Sequence, residues 1–369
     1  MRVLHVSSGR GPTGAAAAAM SDVKALLAAG HKAYLATRQG TGLMQACAAA
    51  GVPVLGGLKL GRGALRLLHL PHDAWCLRRL IREHDIDAVH VHRSDDQLLA
   101  GAALGRALST TLVRTWHRDP KGVAWPMLGR LASHVDGCVC VAREHAATLR
   151  AAGARRSEFI QPGVDTELFR PAGDAAHVAV PEVRLVHVGR WKRNERTGGD
   201  RGQRAALEVF GRLPVELPWK GFLVGRGELA DALWREAYGD GGLSEERVRF
   251  VDVGKLGLQE FAAQLGAFHL GLIFACGSDG TSRAGVELLA CGVPLIVADV
   301  PGLRELAEDQ TCALRQLPDD PAGWARAVAA LLAEPERLVA LRRAARPRAE
   351  QVHSLAARGA ALAEFYRGG

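Results

Sequence analysis

The sequence predicts an α/β protein made of two doubly wound, Rossmann-like domains that face each other across a cleft. Three observations carry that prediction. The chain has 369 residues, more than one ordinary core accommodates. Short β-branched runs alternate with helix-length amphipathic stretches in both halves, the rhythm of parallel βαβ units. Midway the rhythm breaks, where Pro162, Gly163, Pro171, Gly173 and Pro181 punctuate a stretch without strong periodicity.

In the first half, strands are predicted near 2–7, 32–37, 52–55, 88–92, 110–116 and 137–142, with amphipathic helices between them, as over 15–29 and 72–84. The rhythm restarts with strands near 184–188, 220–224, 248–252, 268–275, 293–298 and 312–316, and the chain ends in helical segments from about 322 to 367. The expected organisation is a domain over 1–165, a linker over 166–182, a second domain over 183–350, and a last helix over 351–369 that packs back toward the first domain. Ligands of such sheets sit at the carboxyl ends of strands, so the informative residues should follow strands directly.

Composition excludes several classes of function. Hydrophobic residues make up 48% and charged residues 23%, which describes a globular chain and not a disordered one. No uncharged apolar run approaches the roughly 18 residues of a membrane span, and the apolar stretch after Met1 reads as a short strand without a cleavage site. Seven cysteines, with Cys138 and Cys140 at no zinc spacing, read as reduced core residues of a cytoplasmic protein. The net charge is +8, and 40 of the 47 basic residues are arginine. A GC-rich genome accounts for such a bias, and so does a need to bind phosphate, which arginine forks grip well. The arginines form no basic stripe interleaved with aromatics, which argues against a nucleic-acid partner.

His5 to Ala19 contains Gly9-Arg-Gly11-Pro-Thr-Gly14, a G-x-G-x-x-G between a strand and a helix. That pattern also marks dinucleotide-binding loops. Here the second strand ends in Arg38-Gln39-Gly40, without the acidic residue that holds a ribose, and Pro12 removes a backbone N–H. A nicotinamide site, a tight turn without ligand and a loop that approaches another phosphate-bearing molecule are the three readings of this loop.

The strongest constellation lies in the second half. From Phe274 to Asp299 the chain reads as strand, glycine loop, short helix, glycine stop and strand, with Ser282 as N-cap and Gly292 as terminator. The N–H groups of Gly280, Thr281, Ser282 and Arg283 would meet an anion at the positive end of that helix. Asp279 precedes the loop and Glu287 lies one turn inside. Two carboxylates flanking an anion site suit a molecule that carries both phosphates and hydroxyls; a cap and a solvated helix residue are the plainer alternative.

This segment resembles the E-x7-E signature of retaining, nucleotide-sugar-dependent glycosyltransferases of family 4, which have the GT-B fold; here it stands as D-x7-E. The likeness covers nearly the whole chain. Val186-His-Val-Gly189-Arg190, Asp200-Arg201-Gly202, Gly163-Val-Asp165 through Phe169 to Pro171, Val224-Gly225-Arg-Gly227 and Pro301-Gly-Leu-Arg-Glu305 are similar to family phrases and stand in the family's order. Arg114-Thr115-Trp116-His117 is similar to its strand-end T-x-H.

The resemblance implies roles. Arg190 and Arg201 would neutralise the donor diphosphate, where preorganised cations stabilise the leaving charge. The loop between them is a few residues longer than usual, which leaves the second role open to Lys192 or Arg193. Glu287 would accept the ribose hydroxyls of the donor, Asp279 would face its sugar, and Gly280, Thr281 and Ser282 would address sugar or phosphate. His117 would lie close to the donor sugar, and Gly14 would open the first helix where the backbone approaches the donor. His92 and Arg93, which also end a strand, are the candidates for acceptor contact.

The chain is thus expected to move a sugar from a nucleotide-diphosphate sugar to a glycan or glycolipid acceptor, as in lipopolysaccharide or cell-envelope glycan synthesis. An epimerase of the same architecture and an inactive sugar-nucleotide-binding module are the alternatives. No cofactor and no metal are expected. Asp85-Ile86-Asp87 spells the D-x-D of another glycosyltransferase fold but precedes a strand, as an ordinary turn does, and no His, Cys or carboxylate cluster has metal-ligand spacing. Lys59 to His69 is basic and apolar, suited either to the inner membrane surface, peripherally, or to packing on the sheet.

Overall fold

The computed structural model describes residues 1–369 apart from 13, 62–63, 106–108, 174–180, 194–198, 241, 275–282 and 369. The chain forms two compact units, Met1–Gly163 with Ser354–Gly369, and Val164–His353.

In the first unit, β1 (Arg2–Ser7), β2 (Lys32–Thr37), β3 (Val54–Leu55), β4 (Ala88–Val91), β5 (Thr111–Trp116), β6 (Gly137–Cys140) and β7 (Ser157–Phe159) form one parallel sheet in the order β3-β2-β1-β4-β5-β6-β7. Helices α1 (Ala15–Ala28), α2 (Gly42–Ala49), α3 (Ala64–Glu83), α4 (Ser94–Leu104), α5 (Trp125–Ser133) and α6 (Arg143–Ala151) lie between the strands. Two-residue alternation along each strand sorts its side chains onto two faces. Leu4, Val6, Val89 and Val91 face a core with Leu77, Leu99 and Leu128. Val3, Ala88, Val113 and Val139 face a second core with Val23 and Leu26 of α1. Strand order reverses between β1 and β4, where open α/β sheets bind ligands.

The second unit repeats the plan. Its sheet runs β10-β9-β8-β11-β12-β13, with β8 (Val183–Val188), β9 (Trp219–Gly225), β10 (Val248–Asp252), β11 (Leu270–Ile273), β12 (Leu295–Ala298) and β13 (Ala313–Gln316), all parallel. The helices are α7 (Gln203–Arg212), α8 (Ala230–Arg235), α9 (Leu258–Leu265), α10 (Arg283–Ala290), α11 (Pro321–Ala333) and α12 (Pro335–Arg348). The reversal falls between β8 and β11. Arg346 ties the start of this unit to α10, donating from Nη1 to the carbonyls of Thr166, Phe169 and Ala290 at 2.7–2.8 Å.

The last helix, α13 (Leu355–Arg367), belongs to the first unit. It lies on α1 so closely that a Cβ at Gly359 would run into the carbonyl of Ala25. Asp22 of α1 and Arg358 of α13 form a buried bidentate pair with N–O distances of 3.0 and 3.2 Å. The remaining Arg358 nitrogen donates to the carbonyls of Ile160 and Gln161 at 2.8 and 3.0 Å, so each nitrogen of the buried cation is bonded.

Three expectations need correction. The strand β7 was not foreseen: Ser-Glu-Phe is too short to show a period, and it forms only as an edge strand on β6. Helix α3 starts at Ala64 and not near 72, running through Pro71. Cys76 is half-buried, while Cys47, Cys138, Cys140, Cys291 and Cys312 are in the core; Cys276 lies outside the described residues.

Candidate active site

In the second unit the site is built on backbone turns. After β8 the chain continues through Gly189 to Arg190, and after the 194–198 stretch it re-enters at Asp200-Arg201-Gly202, the start of α7. The buried side chain of Gln203 joins these two basic positions. Its Oε1 accepts from the Arg201 N–H at 2.8 Å, and its Nε2 donates to the Arg190 carbonyl at 3.2 Å. His187 reinforces the turn, with Nε2 at 3.1 Å from the Arg201 carbonyl and Nδ1 at 2.9 Å from that of Leu272. Burial pushes the His187 pKa down, so the ring is neutral and its single N–H donates to one of these two carbonyls.

Glycines let these segments touch. Gly202 has φ 95°, the left-handed region that favours glycine, and a Cβ there would meet Phe274 at 2.7 Å. A Cβ at Gly225 would strike the Gly189 carbonyl, and one at Gly227 the Trp191 carbonyl. The turn after β9 is thus seated on the Gly189–Trp191 segment, and Trp191 N–H bonds the Arg226 carbonyl at 2.9 Å. Arg190 and Lys192 are exposed and Arg201 is half-buried.

Glu287 sits on α10, 6% exposed. Burial raises its pKa, while Arg283, whose Nε donates to Oε1 at 2.8 Å, pulls it back. Glu305 serves the fold: it accepts the Gly302 N–H at 2.6 Å and closes the turn after β12. Asp279, Gly280, Thr281 and Ser282 lie outside the described residues.

In the first unit the β1–α1 loop closes on itself. A Cβ at Gly9 would meet that of Ala16 at 2.6 Å, so the loop approaches the helix only as glycine, and Gly14 has φ 53° at the helix start. No acidic side chain occupies the first turn of α1. Asp96 of α4 accepts the Ser8 N–H at 3.1 Å, and burial raises its pKa to about 6. Ser8, Arg66, Asp73, Asp95 and Asp96 line a shallow, open depression with a cavity volume of only about 20 Å³, in which Arg66 pairs with Asp95.

The profile of Glycosyltransferase Family 4 matches residues 12–168, and that of Glycosyl transferases group 1 matches residues 182–334. The chain belongs to glycosyltransferase family 4.

The chain is 28% identical over 335 residues to a GDP-mannose-dependent alpha-(1-6)-phosphatidylinositol monomannoside mannosyltransferase of Mycolicibacterium smegmatis, covering 82% of each protein. A D-inositol 3-phosphate glycosyltransferase of Segniliparus rotundus is 29% identical over 228 residues, covering 58% of this chain and 49% of the relative. Among solved structures, Anabaena Alr3699/HepE in complex with UDP superimposes with a TM-score of 0.80 at 16% identity over all of both chains. The architecture is that of GT-B glycosyltransferases.

In this family 4 glycosyltransferase, His92, Arg93 and His117 follow β4 and β5 at the first sheet's reversal or beside it, and Arg190 and Arg201 converge at the second. Arg93 is exposed and His117 half-buried. His92 does not fit the role expected for it. It is 4% exposed, and its nitrogens are engaged by His5 at 3.0 Å and His117 at 2.9 Å, so no atom remains for an acceptor. Asp85 and Asp87 bind Arg2 at the start of β1, the opposite end of the strands, as a turn does. No His, Cys or carboxylate cluster shows metal-ligand spacing along the sequence, yet the fold gathers His5, Asp22, His90 and His92, with ligand-type atoms within 4.8 Å of one another. Sequence spacing hides this group because it joins three elements. The alternation His90-x-His92, repeated as Thr115-x-His117, was the available signal.

Proposed function

We propose that this glycosyltransferase moves a sugar from a nucleotide-diphosphate sugar to a hydroxyl of a glycan or glycolipid, with retention of anomeric configuration and without a metal ion. The observation that carries this is the tie made by Gln203, which brings Arg190 and Arg201 together at the second sheet's reversal. Two guanidinium groups there suit a diphosphate whose charge grows as it leaves, and they supply what a divalent cation supplies elsewhere. Glu287 takes the ribose hydroxyls, Asp279 and the amides of Gly280, Thr281 and Ser282 meet the sugar and phosphate, and Gly14 and His117 approach the donor from the first unit. The names of the relatives, a mannosyltransferase using GDP-mannose and a structure holding UDP, support this assignment.

Attack comes from the face that the diphosphate leaves. The acceptor oxygen bonds the anomeric carbon as the bond to phosphate breaks, and the hydroxyl proton passes to the departing phosphate oxygen. Of the two residues expected to meet the acceptor, Arg93 keeps that role, being exposed directly after β4. Incubation with a panel of nucleotide sugars, GDP-mannose and UDP-glucose first, should release nucleotide diphosphate, and the anomeric coupling of the product should match that of the donor. Release from none of them would overturn the assignment.

The enzyme acts at the cytoplasmic face of the membrane, in cell-envelope glycan synthesis, by this reading. Helix α3 exposes Leu65, Leu67, Leu68 and Trp75 by 56–72% beside Lys59 and Arg66, an apolar and basic combination that favours peripheral contact; Arg62 lies outside the described residues. Among the described residues no helix is long and apolar enough to cross a membrane. Sedimentation with vesicles containing anionic lipid should carry the protein down, and its absence from the pellet would end the membrane reading.

A further inference from the structure

Four histidines crowd one face of the first sheet. The register places His5 of β1 beside His90 of β4, and two-residue alternation brings His92 and His117 to that same face. The rings of His90 and His92 stack at 4.8 Å between centroids, and those of His92 and His117 at 5.2 Å. Nδ1 of His5 lies 3.0 Å from Nε2 of His92, and Nδ1 of His92 lies 2.9 Å from Nε2 of His117. His90 stands beside this chain, with Nδ1 on the Tyr366 hydroxyl at 2.6 Å and Nε2 on the Thr115 hydroxyl at 2.7 Å.

His5, Asp22, His90 and His92 have the composition of a metal cage, but their bonds argue against one. Both nitrogens of His90 and of His92 are engaged, and Arg358 holds both oxygens of Asp22. A divalent ion would have to displace these bonds and then lie next to a guanidinium.

The bonds describe a proton-ordered chain instead. Burial pushes the His5 pKa down to about 4 and that of His92 to about 3, so both rings are neutral near pH 7. A neutral imidazole carries one N–H, and each nitrogen–nitrogen contact needs one donor and one acceptor. The chain therefore orders as a whole, in one of two senses. In the outward sense, His5 donates from Nδ1 to His92, and His92 donates from Nδ1 to His117, which keeps its own proton on Nδ1. In the inward sense, every proton sits on Nε2, and the His5 Nε2–H points into the interior. That His5 nitrogen is buried without a hydrogen-bond partner. An orphaned buried N–H is rarer in proteins than an under-used acceptor, which selects the outward sense.

We propose that His5 and His92 are positioning residues that lock His117 in its Nδ1–H tautomer, so that this nitrogen donates a hydrogen bond to the donor sugar instead of accepting one. The proposal rests on His117 being a sugar contact, as assigned above. Nitrogen-15 spectroscopy of the imidazole rings in the full-length protein tests it. The wild type should show the His117 proton on Nδ1. In His5→Asn the amide N–H stands where the imidazole Nδ1–H stood, and the same tautomer should persist. His5→Asp has the shape of the asparagine variant, but its carboxylate only accepts; His92 must then donate from Nε2, the proton should move to Nε2 of His117, and kcat should fall about tenfold with KM nearly unchanged. A wild-type His117 protonated on Nε2 would overturn the relay, even if neither variant folded. So would an unmoved proton in His5→Asp. Failure of every nucleotide sugar to turn over would instead overturn the transferase reading, because the ring assignment does not depend on turnover.

Discussion

The two sheets reverse strand order in the same way, yet their carboxyl ends carry opposite chemistry. At the first reversal the side chains are buried and bonded to one another, from the Asp22–Arg358 ion pair to the neutral ring of His92. At the second, Arg190 is exposed and Arg201 half-buried, and the buried partner, Gln203, holds their main chain. The shared topology decides where a ligand can sit, and the few residues after each strand decide what it meets. A buried network fixes direction and proton position and tolerates no loss of a member. Cations mounted through the backbone can be removed with little harm to the fold.

The largest expected effect breaks the first network. Arg358→Met leaves the Asp22 carboxylate buried without its partner and should destabilise the first unit by about 3–5 kcal/mol. Adding Asp22→Leu should recover most of that loss. Segment-resolved hydrogen exchange checks both; a double variant no more stable than the single one would show that the pair does not act as a unit. By contrast, Arg190→Ala should keep the melting temperature of the wild type and lower kcat by about 10²–10³, the usual cost of removing one preorganised donor to developing charge. Unchanged turnover would remove Arg190 from the diphosphate site.

The contrast also explains what could be read from the sequence. The second site was legible because turns that approach each other must be glycine: Gly202, Gly225 and Gly227 each face backbone or side-chain atoms where a Cβ would stand, and such positions recur as phrases in the chain. The βαβ order was legible for a similar reason, since each strand carries its own apolar pattern. The histidine network was not, because its members come from β1, α1, β4, β5 and α13, and no local spacing joins Asp22 to Arg358. Reading His92 as a ligand contact followed its position at a strand end, whereas burial gave both of its nitrogens to other histidines. Gln203 escaped notice because nothing about one glutamine at a helix start marks it as the link between two arginines.

A pH titration of stability sharpens the comparison at an intermediate scale. A histidine whose folded pKa lies below its unfolded value stabilises fully above about pH 6.5 and loses that contribution as pH falls toward the folded value. Among the described residues the first unit holds His5 and His92 at about 4 and about 3, His90 well below its usual range, and the less buried His31 also lowered. The second holds His187 and His269 low, the latter at about 4. Asp96 in the first and Glu287 in the second, buried carboxylates with raised pKa, oppose them. Carboxylates held low by their partners, Asp22 in the first unit and Glu236 and Asp309 in the second, act in the same sense as the histidines but below about pH 4. Each net proton changes stability by about 1.4 kcal/mol per pH unit. Between about pH 6 and 4 the first unit should therefore lose stability faster, and its amides should exchange sooner than those of β8 and β11. Equal slopes would mean that the histidine network takes up protons while folded.

The smallest effect concerns Arg283. Its side chain is 59% exposed, so its pair with Glu287 is screened by solvent and contributes only about 0–1 kcal/mol. Its consequence is electrostatic: burial favours the neutral form of Glu287, and Arg283 is the charge that opposes it. In Arg283→Gln the Glu287 pKa should rise further, and the fraction ionised should drop as pH falls. If Glu287 accepts hydrogen bonds from the donor ribose, it does so best as a carboxylate. The KM for the nucleotide sugar should then rise by about twofold to fivefold, more at the acidic end of the range than at the alkaline end, while kcat stays as in the wild type. A KM that is unaltered at every pH would mean that the donor does not rely on the charge of Glu287. A fall in kcat alone would assign Arg283 the role proposed for Arg190, that of a cation facing the leaving group.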